Sequence, residues 1–312
     1  MSKVDVVVIG DCNPDIVLSD PDATVEFGQQ ETLFADGALT VGGSGSITAC
    51  ACARLGLRTA FVGAIGTDAF GDYMTAELRN RGVDIGLCPR LAETPTGFSV
   101  IISRGQDRAI LTHLGAIERL TSEHLAPDVL AEARHVHLSS YFLLAGLRPG
   151  LTDLLDVLRT AGVSTSIDTN WDPAQSWDAG LPAVLGLVDI FLPNAAEACA
   201  IAGTSDVEQA ALALADTIPM VAVKLGADGA LLARNGDLHR EPGYAWSTVE
   251  TTGAGDAFNA GFLSGWLAEL PPAQCLQLAN AVGALSTQGI GAVAAQPTLA
   301  AAQRFLRDGS RP

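Results

Sequence analysis

Thr251 to Phe262 read TTGAGDAFNAGF: a glycine turn, an acid and the start of a helix-like run. Gly253 and Gly255 flank Ala254, and the carboxylate of Asp256 follows. A glycine turn feeding a helix offers free backbone N–H groups and the positive end of the helix dipole, both of which attract anions. A site that only held phosphate would favour a lysine there. An acid suits a site that holds a phosphoryl group on Gly253, Ala254 and Gly255 while Asp256 takes a proton from the attacking hydroxyl. Aspartate is equally at home as a helix cap in the first turn, and the stretch alone leaves both readings open.

Outward from this turn, strands and helices alternate. VDVVVIG (Val4 to Gly10) reads as a strand buried on both faces. SITACACARLGL reads as a helix, RTAFVGAIG as a strand, and DYMTAELRNRGV as an amphipathic helix stopping at Gly82. HVHLSS, VSTSID, VDIFLPN and MVAVKLG continue the strands, with LTDLLDVLRTAG and AAEACAIAG as helices between them. Such alternation predicts a parallel sheet covered by helices on both faces, with ligands at the carboxyl ends of the strands. Two segments break the rhythm. Asp15 to Val41 is strand-like in patches, and Thr96 to Leu114 reads as two strands around Arg104-Gly105-Gln106-Asp107. They predict a small second sheet acting as a lid. No linker or internal repeat divides the chain, and the tail after Asp308 reads as frayed.

Composition narrows the function. Among 312 residues the net charge is −17, and Lys plus Arg number only 18, which disfavours nucleic acid as a partner. No uncharged apolar stretch is long enough to span a bilayer. MSKVDVVVIGD shows no signal-peptide pattern, and the six cysteines form no Cys-x-x-Cys pair. They read as buried, reduced thiols of a cytoplasmic protein.

Neither lysine, Lys3 or Lys224, follows a glycine, so no Walker A loop occurs. Gly10-Asp11-Cys12-Asn13-Pro14 lacks the dinucleotide fingerprint that a dehydrogenase would need. His135 and His137 point the same way in a strand and read as a packed or edge pair rather than a zinc site. Gly42-Gly43-Ser44-Gly45 allows close approach of a polar ligand, or is simply a strand-to-helix turn. Asn13-Pro14-Asp15, at the end of the first strand, offers polar groups to hydroxyls, or makes a turn. Asn194 and Glu197 share a helix face and suit water around Mg²⁺, or a helix cap. Asp168-Thr169-Asn170 lines the pocket or makes a turn.

In order, these features resemble the ribokinase-like (PfkB) family of carbohydrate kinases over essentially the whole chain. TTGAGDAFNAGF looks like the family's C-terminal signature. GGSGSITACACARLG with VGAIGTDAFGDYMTAELRNRGVD is similar to the N-terminal one. LPNAAEA resembles the N-x-x-E motif, VAVKLGADGALL the nucleotide-side strand, and LANAVGALSTQGIGA the adenine-side helix and turn.

The resemblance implies an α/β fold, a three-layer ribokinase-like sandwich with a mainly parallel central sheet and a small β-sheet lid. It implies one kinase domain over residues 1–312, with the lid drawn from about 15–41 and 96–114. By resemblance Asp256 is the catalytic base, and Gly253, Ala254 and Gly255 are the anion hole; a base that acts only as the P–O bond forms needs no large pKa shift. Asn13, Asp15, Gly42 and Gly43 fall at substrate-hydroxyl positions. Lys224, Gly226 and Asn280 lie where members contact ATP, and Asn194 and Glu197 match the Mg²⁺-associated pair.

Two departures stand out. Ile47 replaces the usual asparagine of the N-terminal signature, which suggests a ligand with an apolar face there. Glu250 replaces the usual aspartate near a monovalent-cation site, which puts K⁺ activation in doubt. The acceptor implied is a sugar or nucleoside. Asp15 favours an unphosphorylated one, whereas Arg90, Arg104, Arg108 and His113 near the lid leave a phosphosugar open. A non-catalytic sugar or nucleotide sensor on the same fold is the rival from another class. A homodimer through the lid is the family-level expectation.

Overall fold

The computed structural model describes residues 4–20, 22, 24, 25, 27–104, 107–244 and 248–308. Lys3, Gly105 and Gln106 of the expected hairpin turn, and the tail after Asp308, lie outside the described residues.

The strands are β1 (Val6–Ile9), β2 (Asn13–Ser19), β3 (Asp36–Gly42), β4 (Thr59–Val62), β5 (Ile65–Gly66), β6 (Arg90–Leu91) and β7 (Phe98–Arg104). They continue with β8 (Asp107–His113), β9 (His135–Ser139), β10 (Ser164–Asp168), β11 (Ile190–Phe191), β12 (Met220–Lys224), β13 (Ala230–Arg234) and β14 (Asp237–Glu241). The helices are α1 (Ser44–Arg54), α2 (Ala69–Asn80), α3 (Pro127–Leu130), α4 (Leu151–Thr160) and α5 (Leu181–Leu185). After them come α6 (Ala195–Ala202), α7 (Val207–Ala215), α8 (Ala254–Leu267), α9 (Pro272–Ser286) and α10 (Leu299–Asp308).

The larger sheet runs β14-β13-β12-β11-β10-β9-β1-β4. It is parallel from β4 to β12, with β13 and β14 antiparallel at one edge. The first strand explains why the sequence was so apolar. Val7 and Ile9 join the core shared with α4, α5, α6 and α7, while Val6 and Val8 join the opposite core with α1, α8, α9 and α10. A strand buried on both faces has no polar side to alternate with. Each such valine contributes about 1.5–3 kcal/mol by burial. The outcome is the three-layer α/β sandwich.

RTAFVGAIG is two strands rather than one. A Cβ on Gly63 would lie 2.6 Å from the Phe61 ring and 2.8 Å from the Gly10 carbonyl, so the chain bends where only glycine fits. β1 also ends sooner than expected. Asn13, Pro14 and Asp15 open β2 of the second sheet instead of closing the first strand.

That second sheet runs β3-β2-β7-β8. Register puts Thr40, Asp15, Ser99 and Thr112 side by side across all four strands. One residue along, Leu39, Ile16, Val100 and Leu111 line up in the same way, and successive residues face opposite sides. One face therefore begins polar and the other is aliphatic.

All six cysteines are free, with Cys12, Cys50, Cys52 and Cys275 buried. Among the described residues no helix is long and apolar enough to cross a membrane.

Inside the larger sheet, Ser166 Oγ lies 2.7 Å from both His135 Nε2 and His137 Nδ1, and Ser164 Oγ lies 2.7 Å from His135 Nδ1. The pair is packed centrally between β1 and β10, not at an edge. Burial, reinforced by His137, pulls His135 down to about 3, and burial pulls His137 down to about 4. Unfolded histidine titrates near ~6.5. Between those values the unfolded chain holds the extra protons, so this contribution is complete above about 6.5 and is lost as the pH falls. Asp15 and Glu197, both lifted to about 7, act with the opposite sign in the same window. The histidine contribution is therefore the difference between proteins. The loss of Tm between about pH 6.5 and 4.5 should be shallower in His135→Gln/His137→Gln than in the wild type. An identical slope would remove the histidines from this account.

Candidate active site

Helix α8 starts at Ala254 behind Gly253, whose φ of 75° is left-handed. A Cβ there would lie 2.8 Å from both Cβ and O of Ala292, so the turn demands glycine twice over. The first-turn N–H groups of such a helix lack intrahelical acceptors and face outward. Asp256 sits in that first turn and is 7% exposed.

A second helix N-terminus meets it. Helix α1 starts behind Gly43, at φ 77°, where a Cβ would lie 2.8 Å from Asn13 Oδ1. Ser44, its first residue, favours the charged form of the Asp256 carboxyl. Asp11 supplies the cap, accepting from the N–H groups of Gly45 at 2.8 Å and Ser44 at 3.2 Å. Ser140 Oγ donates to Asp11 at 2.8 Å, and Asn170 Nδ2 donates to both Ser140 Oγ and Ser44 Oγ at 2.7 Å. Ser140 and Asn170 hold left-handed backbone, φ 59° and 55°, although neither is glycine. Strain of this kind persists where surrounding structure over-determines it, commonly at functional sites. Asp168 Oδ1 also accepts the Asn170 N–H at 3.1 Å, so this segment makes its turn and holds the Ser44 network together.

On the substrate side, Asn13 Nδ2 donates to Asp15 Oδ1 at 3.1 Å and to Ser99 Oγ at 3.3 Å. Ser99 and Thr112 hydroxyls lie 3.0 Å apart. A Cβ on Gly42 would fall 1.9 Å from Asp15 Oδ1, so the carboxylate lies across that glycine. Burial first, then the charges of Asp11 and Glu250, lift Asp15 to about 7. Asp11 acts on Asp256 as well.

On the nucleotide side, Gly226 has φ 62° with open space around it. Asn280 Nδ2 donates to the carbonyls of Glu241 and Pro242 at 3.3 Å, and three residues on, Gly283 packs against the Ala254 carbonyl. Lys224 is tied into a triangle of side chains. Its amine is 2.6 Å from Asp168 Oδ2 and 3.3 Å from Asn259 Oδ1, and Asn259 Nδ2 donates to the same Asp168 oxygen at 2.6 Å. It sits in a buried ion pair.

Asn194 and Glu197 form a closed capping box. Each accepts the other's backbone N–H at 2.9 Å, and Asn194 Nδ2 donates to Glu197 Oε1 at 2.6 Å. Burial, then Asp168, lifts Glu197 to about 7. Ile47 is 3% exposed and packed in the helical core, so it offers a ligand no apolar face. Glu250 Oε2 accepts the Gly291 N–H at 2.7 Å.

Burial, then the charge of Asp168, drives Asp256 well above the ordinary carboxylate range, with Lys224 opposing. The arrangement suits a proton acceptor beside a row of backbone N–H groups.

A family model described as pfkB family carbohydrate kinase matches residues 3–299. The chain belongs to the pfkB family of carbohydrate kinases. Ribokinase from Haemophilus influenzae is 30% identical over 310 residues, covering 96% of this chain and 97% of that one. 2-Dehydro-3-deoxygluconokinase from Bacillus subtilis is 30% identical over 277 residues, covering 85% and 86%. The structure of Arabidopsis thaliana ribokinase complexed with ribose and ATP superimposes with a TM-score of 0.84 at 25% identity, covering 98% and 99%.

This pfkB-family kinase is a phosphotransferase that uses ATP and acts on a hydroxyl group of a sugar. Asp11, Asn259, Ser99 and Thr112 of this kinase escaped sequence reading. Asn259 was within reach, three residues after Asp256 and so on the same helix face. Asp11 follows β1 at the carboxyl edge. Ser99 and Thr112 meet Asp15 only through strand register.

Among the described residues no cluster of three potential ligands exists. Mg²⁺ keeps several waters and needs one or two carboxylates beside substrate phosphates. Both Glu197 oxygens already accept hydrogen bonds from Asn194, so the pair fits a contact through water.

Proposed function

We infer that this kinase transfers the γ-phosphate of ATP to a hydroxymethyl group of an unphosphorylated sugar, with Asp256 as general base. The observation that carries the reading is the meeting of two helix N-termini, α1 and α8, over the buried Asp256 carboxyl. The acceptor O–H breaks as its oxygen bonds to the γ-phosphorus. The proton passes to Asp256, and the bridging P–O bond breaks with its electron pair leaving on ADP. N–H groups of the Gly253–Gly255 turn face the charge spread over the transferring oxygens. Space beside Gly226 and the α9 face near Asn280 take the nucleotide. Asn194 and Glu197 would hold Mg²⁺ through water, and the ion supplies neutralisation of phosphate charge. Glu250, where the resemblance puts a monovalent-cation site in doubt, accepts the Gly291 N–H.

The row Thr40, Asp15, Ser99 and Thr112 favours a hydroxyl-rich ligand over a nucleobase. Asp15 and Asp11 oppose a phosphate there. Arg90 is engaged elsewhere, 2.7 Å from Asp72 and 2.8 Å from Thr75 Oγ1. Incubation with ATP, Mg²⁺ and a panel of free sugars, phosphosugars and nucleosides should release ADP with a free sugar. Release only with a phosphosugar or nucleoside would overturn the acceptor, and binding without release would make the protein a sensor.

The smaller sheet is assigned as a lid within a single kinase domain. Arg108 Nη1 of β8 already reaches Thr252 Oγ1 at 2.7 Å, and Tyr73 Oη donates to the Leu39 carbonyl at 3.2 Å. Its aliphatic face, with Leu39 45% and Leu111 59% exposed, is assigned to a second copy of the chain. Leu39→Glu/Leu111→Glu should convert a dimer to monomer in sedimentation velocity. A wild-type monomer at micromolar concentration would sink the assignment.

A further inference from the structure

We propose that Lys224 is a positioning residue whose fixed ammonium is the counter-charge of Asp256, and not a contact for ATP. This rests on the reading of Asp256 as the base. Two elements fix the amine. Asp168 of β10 takes it at 2.6 Å, and Asn259 of α8 turns its Oδ1 towards it at 3.3 Å. The amide nitrogen of Asn259 closes the triangle on the same Asp168 oxygen. Lys224 and Asp168 side chains are only 12% and 3% exposed. A buried pair broken by withdrawing one partner leaves an uncompensated charge, so the amine is not available to a nucleotide that comes and goes.

The triangle also touches the catalytic turn. A Cβ built on Gly255 would lie 3.7 Å from Lys224 Nζ, so the amine packs against the residue before Asp256. Asn259 stands three residues after Asp256, on the same face of α8. The charge therefore sits on the helix face that carries the base.

The groups acting on Asp256 come from several elements. Asp168 of β10 and Asp11 after β1 oppose its ionisation, as does its burial. Lys224 of β12 and the Ser44 hydroxyl of α1 favour it. Glu197 of α6 acts on Lys224 itself, and His137 of β9, facing both Asp168 and Lys224, is held neutral by burial. A general base must be ionised to accept a proton. Among these groups Lys224 is the one cation, and Asp168 is the anchor that fixes it.

The two partners make opposite predictions, which no purely structural role would produce. Lys224→Met should move the acid limb of the kcat/KM profile upward by a pH unit or more. Activity near pH 7 then falls about tenfold or more and is recovered towards about pH 9. The KM for ATP should stay within about twofold, since uniform binding is untouched. Lys224→Arg keeps the charge and should restore the limb. Asp168→Asn removes an opposing charge and should move the limb downward. With ¹³C-aspartate labelling and Asp256→Asn as the assignment reference, the Asp256 carboxyl should titrate in the same directions without substrate.

An unmoved limb in Lys224→Met overturns the proposal, as does a loss confined to the KM for ATP. Should Lys224→Met fail to fold, Asp168→Asn decides alone, and an upward or unmoved limb there overturns it. Normal turnover in Asp256→Asn would instead defeat the base assignment itself. An inactive Asp256→Asn beside a wild-type limb in Lys224→Met would defeat this inference only.

Discussion

Asp256→Asn is expected to lose about 10²–10⁴-fold in kcat, the scale of a general base, while ATP still binds. Asparagine fills the same volume, so the packing of α1 against α8 is kept. It has no lone pair basic enough to take the proton of the attacking alcohol. Stability should not fall with activity. Asp256 is buried, and its carboxyl is driven well above the usual range by that burial and by Asp168. A raised carboxyl pKa means that the folded state resists the ionised form, so its stability penalty grows as pH rises above the unfolded value near ~3.9. A neutral amide removes that penalty. The Tm of Asp256→Asn at neutral pH should therefore equal or exceed that of the wild type, the usual exchange between activity and stability at a catalytic group. Steady-state turnover, ATP binding by calorimetry and a thermal melt check the three parts. Near-normal kcat would refute the assigned role.

Gly253→Ala is expected to be nearly as damaging for a different reason. The residue sits at φ 75°, where a Cβ costs roughly 1–2 kcal/mol. The new methyl would also meet Ala292 at 2.8 Å, at both its Cβ and its carbonyl oxygen. The carbonyl belongs to the backbone and yields little, so the turn itself must move. Backbone N–H groups aimed at a transferring phosphoryl group tolerate little movement, and losing one such donor typically costs about 10²–10³-fold in kcat. Gly255 differs, because a Cβ there meets only the Lys224 side chain at an ordinary 3.7 Å. Gly253→Ala should lower Tm by several degrees, whereas Gly255→Ala should lower it little. Equal melts for the two would show that the left-handed turn is not what Gly253 provides.

Much of this was legible in the chain itself. The alternation of apolar runs carried the larger sheet because strands such as β1 are buried on both faces and leave an unbroken β-branched signature. TTGAGD carried the turn because glycine, small residue and acid each have a local backbone reason to be there. The side-chain partner of Lys224 was out of reach for an equally physical reason. Motif position tells where a residue enters a site, not which partner its side chain takes, and Asp168 lies 56 positions away. The polar row at Asp15 was invisible because it exists only once four strands adopt one register. Asn13 was put on the wrong sheet because Gly10-Asp11-Cys12, read as the tail of one strand, is the passage between two. Asp11 in that passage caps a helix that begins 33 positions later.

Arg108 and Thr252 are 144 positions apart in sequence and joined by one hydrogen bond. Arg108 belongs to the smaller sheet, and Thr252 immediately precedes the left-handed glycine. If that sheet closes over the acceptor as proposed, opening it breaks this contact, and arrival of the acceptor is then felt beside the glycine turn.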